Sequence, residues 1–227
     1  NKRGTQMKAT GEVMSIGRTM EESLLKAMRS LETGVCHIYH KKFDDWTNDR
    51  LLEYIAEPTD DRLYAIAQLI RGGVDLVLIY NRTKIDMFFL EKFKNIVEFE
   101  RVVEAAPMDI EVLREAKRMG FSDKFIGQLW GVSQHDMYLL REKNGIFPVY
   151  KMIDTCASEF SSYVPYFYST YEDENESLVS DKEKIVVLGS GPIRIGQGVE
   201  FDYSTVHAIW SIREAGYEAI IINNNPE

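Results

Sequence analysis

The spacing of apolar residues changes once along this chain, and the change constrains its fold more than any other feature. Between residues 18 and 145 apolar residues recur at helical spacing, and the alternation typical of strands is scarce. After residue 184 the sequence reads "KIVVLG", a glycine-rich stretch, a helical segment over residues 203–215, and "EAIIIN". This order is typical of a parallel βαβ unit. We therefore expect a mainly α chain whose second unit, an α/β unit, begins near residue 182.

Capping residues predict where the helices begin and end. The predicted N-terminal caps are Thr19 (with Glu22), Thr59, Thr83 and Ser133 (with Asp136). The predicted stops are Gly34, Gly72, Gly120, Gly131, Gly145 and Gly216. The helix capped by Thr83 is expected to run through Phe88 and Phe93 to Val103. Short helices joined in this way predict an all-α unit over residues 18–145.

The region between the two units has weaker signals. Residues 148–171 are rich in aromatics and predict irregular structure, and residues 172–177, "EDENES", predict a solvated acidic turn or linker. The run "KIVVLG" predicts a buried strand. A βαβ unit that ends at residue 227 cannot cover both faces of its own sheet, so we expect the chain to be a piece of a larger polypeptide.

Composition argues against several classes of protein. The net charge of −9 over 227 residues disfavours a nucleic-acid partner bound through phosphates. The two cysteines, Cys36 and Cys156, are too few for a disulfide scaffold and favour a reducing compartment. The apolar runs are far shorter than a membrane span, and no signal peptide is visible.

Residues 120–146 resemble a helix-turn-helix motif, with a turn at Gly131. The second helix would present mainly His135, Asp136, Tyr138 and Glu142, whereas DNA readers place basic and amide side chains there. We therefore favour a helical hairpin packed within the α unit over a DNA-binding element.

Two other patterns in the helical unit favour packing over chemistry. His37 and His40 lie close to Cys36, but no second pair of ligands occurs elsewhere, so a metal site is not predicted. The aromatic stripe that includes Phe88, Phe89, Phe93 and Phe99 is typical of a core or a subunit contact. The α unit shows no concentrated set of acids, bases or nucleophiles and is interpreted as a packing and assembly module.

The stretch "GSGPIRIGQGVE" matches neither common phosphate-binding motif. The dinucleotide fingerprint needs glycine where Arg194 stands, and the phosphate loop needs lysine where Gln197 stands. The second strand is followed by three asparagines instead of a ribose-binding acid. What remains is a backbone that turns sharply and approaches something closely, with Arg194 and Glu200 beside it.

At the level of whole segments the chain resembles a known family. The segments "GSGPIRIGQGVEFDYSTVHA", "REAGYEAIIINNNPE", "TQMKATGEVMSIGRTMEESLLKAMRSLE", "LREAKRMGFSD" and "VYKMIDTCASEF" are similar to the large chain of carbamoyl phosphate synthetase. The resemblance implies four parts: the tail of an ATP-grasp domain (1–17), a helical oligomerisation domain (18–170), a linker (171–181) and the start of an α/β pre-ATP-grasp domain (182–227). It also implies that no complete catalytic site lies in this chain.

The resemblance further implies an ATP-dependent ligase that makes carbamoyl phosphate from bicarbonate, glutamine-derived ammonia and two ATP. In this family the labile intermediate carbamate passes between two sites through an internal tunnel. The positions that match tunnel-lining residues are Glu12, Arg194, Gly198, Glu200 and Glu227. Gly198 would leave the lumen open, and Arg194 would attract the anion. The alternative for Arg194 and Glu200 is a structural ion pair that braces the glycine loop.

Cofactors and partners are expectations from the same resemblance. They are ATP with Mg²⁺ or Mn²⁺ in the parent enzyme and none in this chain, a glutamine amidotransferase subunit or domain, and further copies of the chain. The implied compartment is the cytoplasm, or a mitochondrial matrix, and the pathway is arginine or pyrimidine biosynthesis. Two alternatives stay open: a stand-alone helical interaction or helix-turn-helix module, and a nucleotide-binding βαβ protein.

Overall fold

The structure is a computed structural model that describes residues 13–154, 159, 165–189 and 200–222, the last segment with backbone only at 200–202. Its first eight helices are α1 (Met20–Ser30), α2 (Asn48–Tyr54), α3 (Arg62–Arg71), α4 (Leu76–Thr83), α5 (Met87–Ala105), α6 (Ile110–Arg118), α7 (Asp123–Trp130) and α8 (Gln134–Lys143). A hairpin follows, made of β1 (Val149–Met152) and β2 (Phe167–Thr170). The chain continues through β3 (Lys184–Leu188), α9 (Glu200–Glu214) and β4 (Glu218–Ile222). The mainly α fold followed by a βαβ unit is confirmed.

The helical unit is organised around its longest helix. α5 packs against α1, α3, α4, α6 and α7, and its side chains Leu90, Ile96 and Val103 are fully buried. Burying a side chain of this size stabilises a fold by about 1.5–3 kcal/mol. The apolar side chains of α5 therefore form the centre of a common core, and the shorter helices pack around it.

The helix ends follow local chemistry at most of the positions that the sequence indicated. Thr19 and Ser133 accept hydrogen bonds from the backbone N–H groups of Glu22 and Asp136, as predicted. Gly120 and Gly131 have φ angles of 95° and 68°, in the left-handed region where a glycine ends a helix without strain.

Two predicted caps are wrong. Thr59 does not cap α3; its hydroxyl donates to Asp61, which precedes that helix. Thr83 ends α4, a helix that the sequence analysis did not predict, and α5 is capped instead by Asp86 through the N–H of Phe88. Between them Lys84 adopts φ 57°, a left-handed conformation that stops α4 without a glycine.

The interpretation of residues 148–171 as irregular is also wrong, because β1 and β2 pair antiparallel with Val149 opposite Thr170.

The acidic segment, residues 172–177, is largely exposed to solvent but is hydrogen-bonded to β1. Its Glu176 N–H donates to Tyr150 O at 2.8 Å, and the Glu176 carboxylate accepts from Met152 N–H at 2.7 Å. The segment therefore continues the pairing along the open edge of β1.

The βαβ unit forms as predicted, with β3 and β4 parallel in the register Lys184 to Glu218. α9 begins at Glu200, three positions before the predicted start, and Gly216 follows its end with φ 90°. The prediction that β3 is buried is wrong, since Val186 is 49% and Leu188 75% exposed. Nothing in the described part of the chain covers these apolar side chains. No helix among the described residues has the length and hydropathy needed to cross a bilayer.

Candidate functional site

The glycine-rich stretch lies between β3 and α9. β3 ends at Leu188, the N–H of Gly189 still donates to Ile222 O at 2.7 Å, and helical backbone resumes at Glu200. The loop therefore leaves the carboxyl end of a parallel strand, the edge at which α/β sheets bind ligands. Of the predicted tunnel-lining residues, Glu12, Arg194, Gly198 and Glu227 lie outside the described residues. Glu200 is placed by its backbone alone, at the loop end of α9, so the tunnel assignment stays a prediction.

A polar junction forms where the chain reaches α1. Glu22 is 1% exposed, and its carboxylate accepts the N–H of Arg18 at 2.7 Å and pairs with Lys26 Nζ at 2.9 Å. Gly120 packs directly on this point, since a Cβ there would lie 2.9 Å from Glu22 Cα. The sequence signalled the local cap at Thr19 but not the burial of Glu22. We call Ile16, Arg18, Glu22, Lys26 and Ser169 the polar junction.

A buried ion cluster joins α6, α7 and α8. Asp123 accepts from Arg141 Nη2 at 2.7 Å and lies 2.9 Å from Lys117 Nζ. Burial lowers the pKa of Lys117 to about 8, although the neighbouring carboxylate opposes the shift. Burial alone would raise the pKa of Asp123, but the hydrogen bond from Arg141 and the charge of Lys117 outweigh it and lower the pKa. No local sequence pattern indicates this cluster, which holds three helices together.

A second buried cluster surrounds His37. Its Nε2 lies 2.9 Å from Glu100 Oε1, and Arg71 donates to both oxygens of that carboxylate at 2.7 Å. The His37 ring stacks on Phe125 at 3.6 Å between centroids. Burial lowers the pKa of His37, while the hydrogen bond to Glu100 opposes the shift. His37 is thus a packing residue, as its sequence context favoured. Its neighbour His40 accepts from Lys42 N–H at the start of a short 3-10 turn.

The helical hairpin α7–α8 lies within the α unit, as the sequence analysis favoured. The side chain of Arg141 is 7% exposed and donates a hydrogen bond to Asp123, so it is buried and does not face solvent. Exposed positions of α8 include His135, Asp136 and Tyr138. A helix-turn-helix protein would place the exposed face of α8 against DNA, and Arg141 does not contribute to that face.

The aromatic stripe on α5 divides into a buried and an exposed part. Phe93 is 5% exposed and belongs to the core, whereas Phe88 and Phe89 are 52% and 42% exposed, with ring centroids 5.3 Å apart. On the preceding helix Val77 and Leu78 are 52% and 51% exposed, and Tyr80 is 38% exposed. We call these five residues the α4–α5 apolar surface. α4 and α5 pack on one another and are joined by a short turn.

Side chains of the types that bind metal ions are dispersed among the described residues. No group of three or more histidine, cysteine, aspartate or glutamate side chains there has the spacing to hold a metal ion. Each of the two buried clusters contains one carboxylate: Glu100 pairs with His37 and Arg71, and Asp123 pairs with Lys117 and Arg141.

Comparison with known families decides the identity of the chain. The model described as "Carbamoyl-phosphate synthetase large chain, oligomerisation domain" matches residues 12–145, more than half of the chain. The chain belongs to the carbamoyl phosphate synthetase large chain family. A second model, "Carbamoyl phosphate synthase preATP-grasp domain", matches residues 181–227. The first match covers the helices α1–α8, and the second covers the βαβ unit. The two matched domains of this ligase family therefore occur in the same order as the two structural units.

Proposed function

We propose that residues 18–170 of this chain are an assembly unit of a carbamoyl phosphate synthetase large chain and associate with a second copy through the α4–α5 apolar surface. The observation that carries the proposal is the exposure of five large apolar side chains between Val77 and Phe89. Exposed apolar patches mark interaction sites, and these five residues lie on two helices that pack on one another. The matched family model, described as an oligomerisation domain, supports the same role.

The charges around this surface favour a second copy as the occupant. Arg82, Lys84 and Lys92 are balanced by Asp75, Asp86 and Glu91 within the same stretch of α4 and α5. The whole chain carries −9, so two copies repel one another over most of their surfaces. A locally neutral apolar surface is where that repulsion is smallest.

Sedimentation velocity tests the assembly proposal. In the full large chain carrying this sequence, Phe88→Ser combined with Val77→Ser should lower the association constant by at least about tenfold, because two apolar side chains that the proposed contact would bury are lost. Tyr138→Ser is the matched control, since Tyr138 is 45% exposed but lies on α8. An unchanged oligomer in the double variant, or an equal loss in the control, would place the contact elsewhere.

We further propose that the glycine-rich loop lines the passage for carbamate, and that the lining positions are Glu12, Arg194, Gly198, Glu200 and Glu227. Family membership and the position of the loop at the carboxyl end of β3 support this role. In the full large chain, Gly198→Leu should abolish carbamoyl phosphate synthesis and spare bicarbonate-dependent ATP hydrolysis, with Gly198→Ala intermediate. Normal synthesis in Gly198→Leu would remove the loop from the passage.

The remaining features of the parent enzyme follow as parts of the same proposal. Residues 1–17 would end a preceding ATP-grasp domain, 171–181 would be a linker, and 182–227 would begin the α/β domain of the second half. ATP with Mg²⁺ or Mn²⁺ would act in the ATP-grasp domains. A glutamine amidotransferase would supply ammonia, and the product would serve arginine or pyrimidine synthesis in the cytoplasm or a mitochondrial matrix. This chain alone should show no ligase activity.

A further inference from the structure

The acidic segment, residues 172–177, covers the outer edge of β1. The other edge of β1 pairs with β2, so alternate backbone groups of β1 point away from the hairpin. Of these, the N–H of Tyr150 donates to Asn175 Oδ1 at 2.9 Å, and the N–H of Met152 donates to Glu176 Oε2 at 2.7 Å. Tyr150 O accepts from the N–H of Glu176 at 2.8 Å. Two consecutive residues of the acidic segment therefore satisfy backbone groups that an edge strand would otherwise leave unpaired.

The two residues that cover this edge are themselves held in place. Asn175 Nδ2 donates to Ser177 Oγ at 2.8 Å, which fixes the orientation of the Asn175 amide. The Glu176 carboxylate lies 3.4 Å from Nζ of Lys151, whose side chain is 9% exposed. Because the acceptor is charged, its bond to the N–H of Met152 is stronger than one to a neutral group.

The start of the acidic segment is fixed to the helical unit by Tyr171, the residue before it. Tyr171 packs against the hydrophobic core. The centroid of its ring lies 5.0 Å from Lys117 Nζ and 5.6 Å from Arg141 Cζ, within the range of a cation–π contact. Arg118 also donates to Asp173 at 2.9 Å, although this exposed pair contributes little. The segment is therefore held to the helical unit at both of its ends.

The chain joins the βαβ unit at Ser180. Its Oγ donates to the Glu218 carboxylate on β4, and its carbonyl oxygen accepts from Lys184 Nζ at the start of β3. Between these anchors, Leu178 and Val179 are 79% and 80% exposed. Neither makes a hydrogen bond within the part of the chain that the structure describes. Exposed residues with few contacts are where a backbone changes conformation most easily.

We propose that the acidic segment is a strap that confines the joint between the helical unit and the βαβ unit to a hinge at Leu178 and Val179. The proposal rests on the proposed linker, residues 171–181, and narrows it to two residues. Two extended residues span about 7 Å, whereas release of the strap would free residues 172–179, which span about 28 Å. The strap therefore sets how far the βαβ unit can move relative to the helical unit.

The distance between two spin labels in the full large chain tests the hinge. Noncanonical residues that carry the labels replace Glu142, at an exposed position of α8, and Glu214, at the end of α9. With the strap intact, the distance distribution should be a single narrow peak. Asn175→Ala combined with Glu176→Ala should broaden that peak at least about twofold, because the connection between the units becomes longer.

Amide hydrogen exchange shows whether the strap has left β1. In the same double variant, exchange at Tyr150 and Met152 should become at least about tenfold faster, because their N–H groups lose their acceptors. Sedimentation velocity of the double variant should match the wild type. Assembly through the α4–α5 apolar surface is thereby read separately from the strap.

Two single variants serve as matched controls. Glu174→Ala removes an acid from the same segment, but Glu174 is 87% exposed and lies 3.9 Å from Lys151 Nζ, so peak width and exchange should match the wild type. Glu176→Gln keeps an oxygen acceptor for the N–H of Met152 and should also stay close to the wild type. An unchanged peak width in the double variant, or equal broadening in either control, would overturn the proposal.

Discussion

Replacing Gly127 by alanine has two opposing effects on the stability of the fold: it raises the helix propensity of α7 and it creates a steric clash. Gly127 lies inside α7, where alanine is favoured over glycine by about 1 kcal/mol. The chain returns across this position after Gly131, so a Cβ on residue 127 would lie 2.4 Å from Val132 O. Since real contacts of this kind are no closer than 3.0 Å, that carbonyl must move by at least about 0.6 Å.

The movement is costly because Val132 is held in place. Its N–H donates to Gly127 O at 2.9 Å, and Met137 Cγ would lie 3.4 Å from the same Cβ. Overpacking costs about 1–3 kcal/mol, and a 2.4 Å approach to a backbone carbonyl that is held in place belongs in the upper part of that range, at about 2–3 kcal/mol, which exceeds the gain in helix propensity. We therefore expect Gly127→Ala to lower the free energy of unfolding by about 1–2 kcal/mol.

Urea denaturation followed by circular dichroism and tryptophan fluorescence measures this difference. With a urea dependence of about 2 kcal/mol per molar, the midpoint should fall by about 0.5–1 M. Gln128→Ala, at the exposed neighbouring position of α7, should leave the midpoint almost unchanged. A Gly127→Ala protein that is more stable than the wild type would refute the close approach of α7 and the following turn.

Two further predictions concern the buried clusters. The folded-state pKa of Lys117 is about 8, below its ordinary value of 10.5. Between these two pH values the unfolded chain binds more protons at Lys117 than the folded chain does, so the free energy of unfolding rises with pH. Urea curves at about pH 7.5 and about pH 9.5 should show that rise in the wild type relative to Lys117→Met, and parallel curves would contradict it. The pKa of His37 is lowered by burial, so its contribution to stability is lost as the pH falls below about 6.5. His37→Gln keeps a donor towards Glu100 and should lose less stability than the wild type on acidification; an equal loss would show that other groups set the acid limit.

The elements that the sequence predicted are those with strong local signals. Thr19 and Ser133 stand directly before helical patterns, and Gly120 and Gly216 directly after them, so caps and stops were visible. Thr83 failed because Asp86, three positions later, has the same chemistry and lies at the true start of α5. Local sequence does not say which of two such residues ends one helix and which begins the next.

The elements that the sequence did not predict depend on contacts between distant segments. β1 and β2 have four residues each, too few for alternation to be recognised, and they form because they pair with each other. Asp123 lies between Lys117 and Arg141 only after three helices have packed, and Lys26 meets Ser169 only in the folded chain. The tunnel-lining positions came from family resemblance, since no local pattern at Gly198 distinguishes a passage from a tight turn.

Site-specific photo-crosslinking tests most directly the claim that this chain assembles through its helical unit. A benzophenone amino acid placed at Phe88 in the full large chain should give a crosslinked dimer whose adduct maps to residues 75–92 of the second copy. The same group at Tyr138, an exposed aromatic position on α8, should give none. Equal crosslinking from both positions, or an adduct from Phe88 that maps elsewhere in the large chain, would contradict the assignment of the α4–α5 apolar surface.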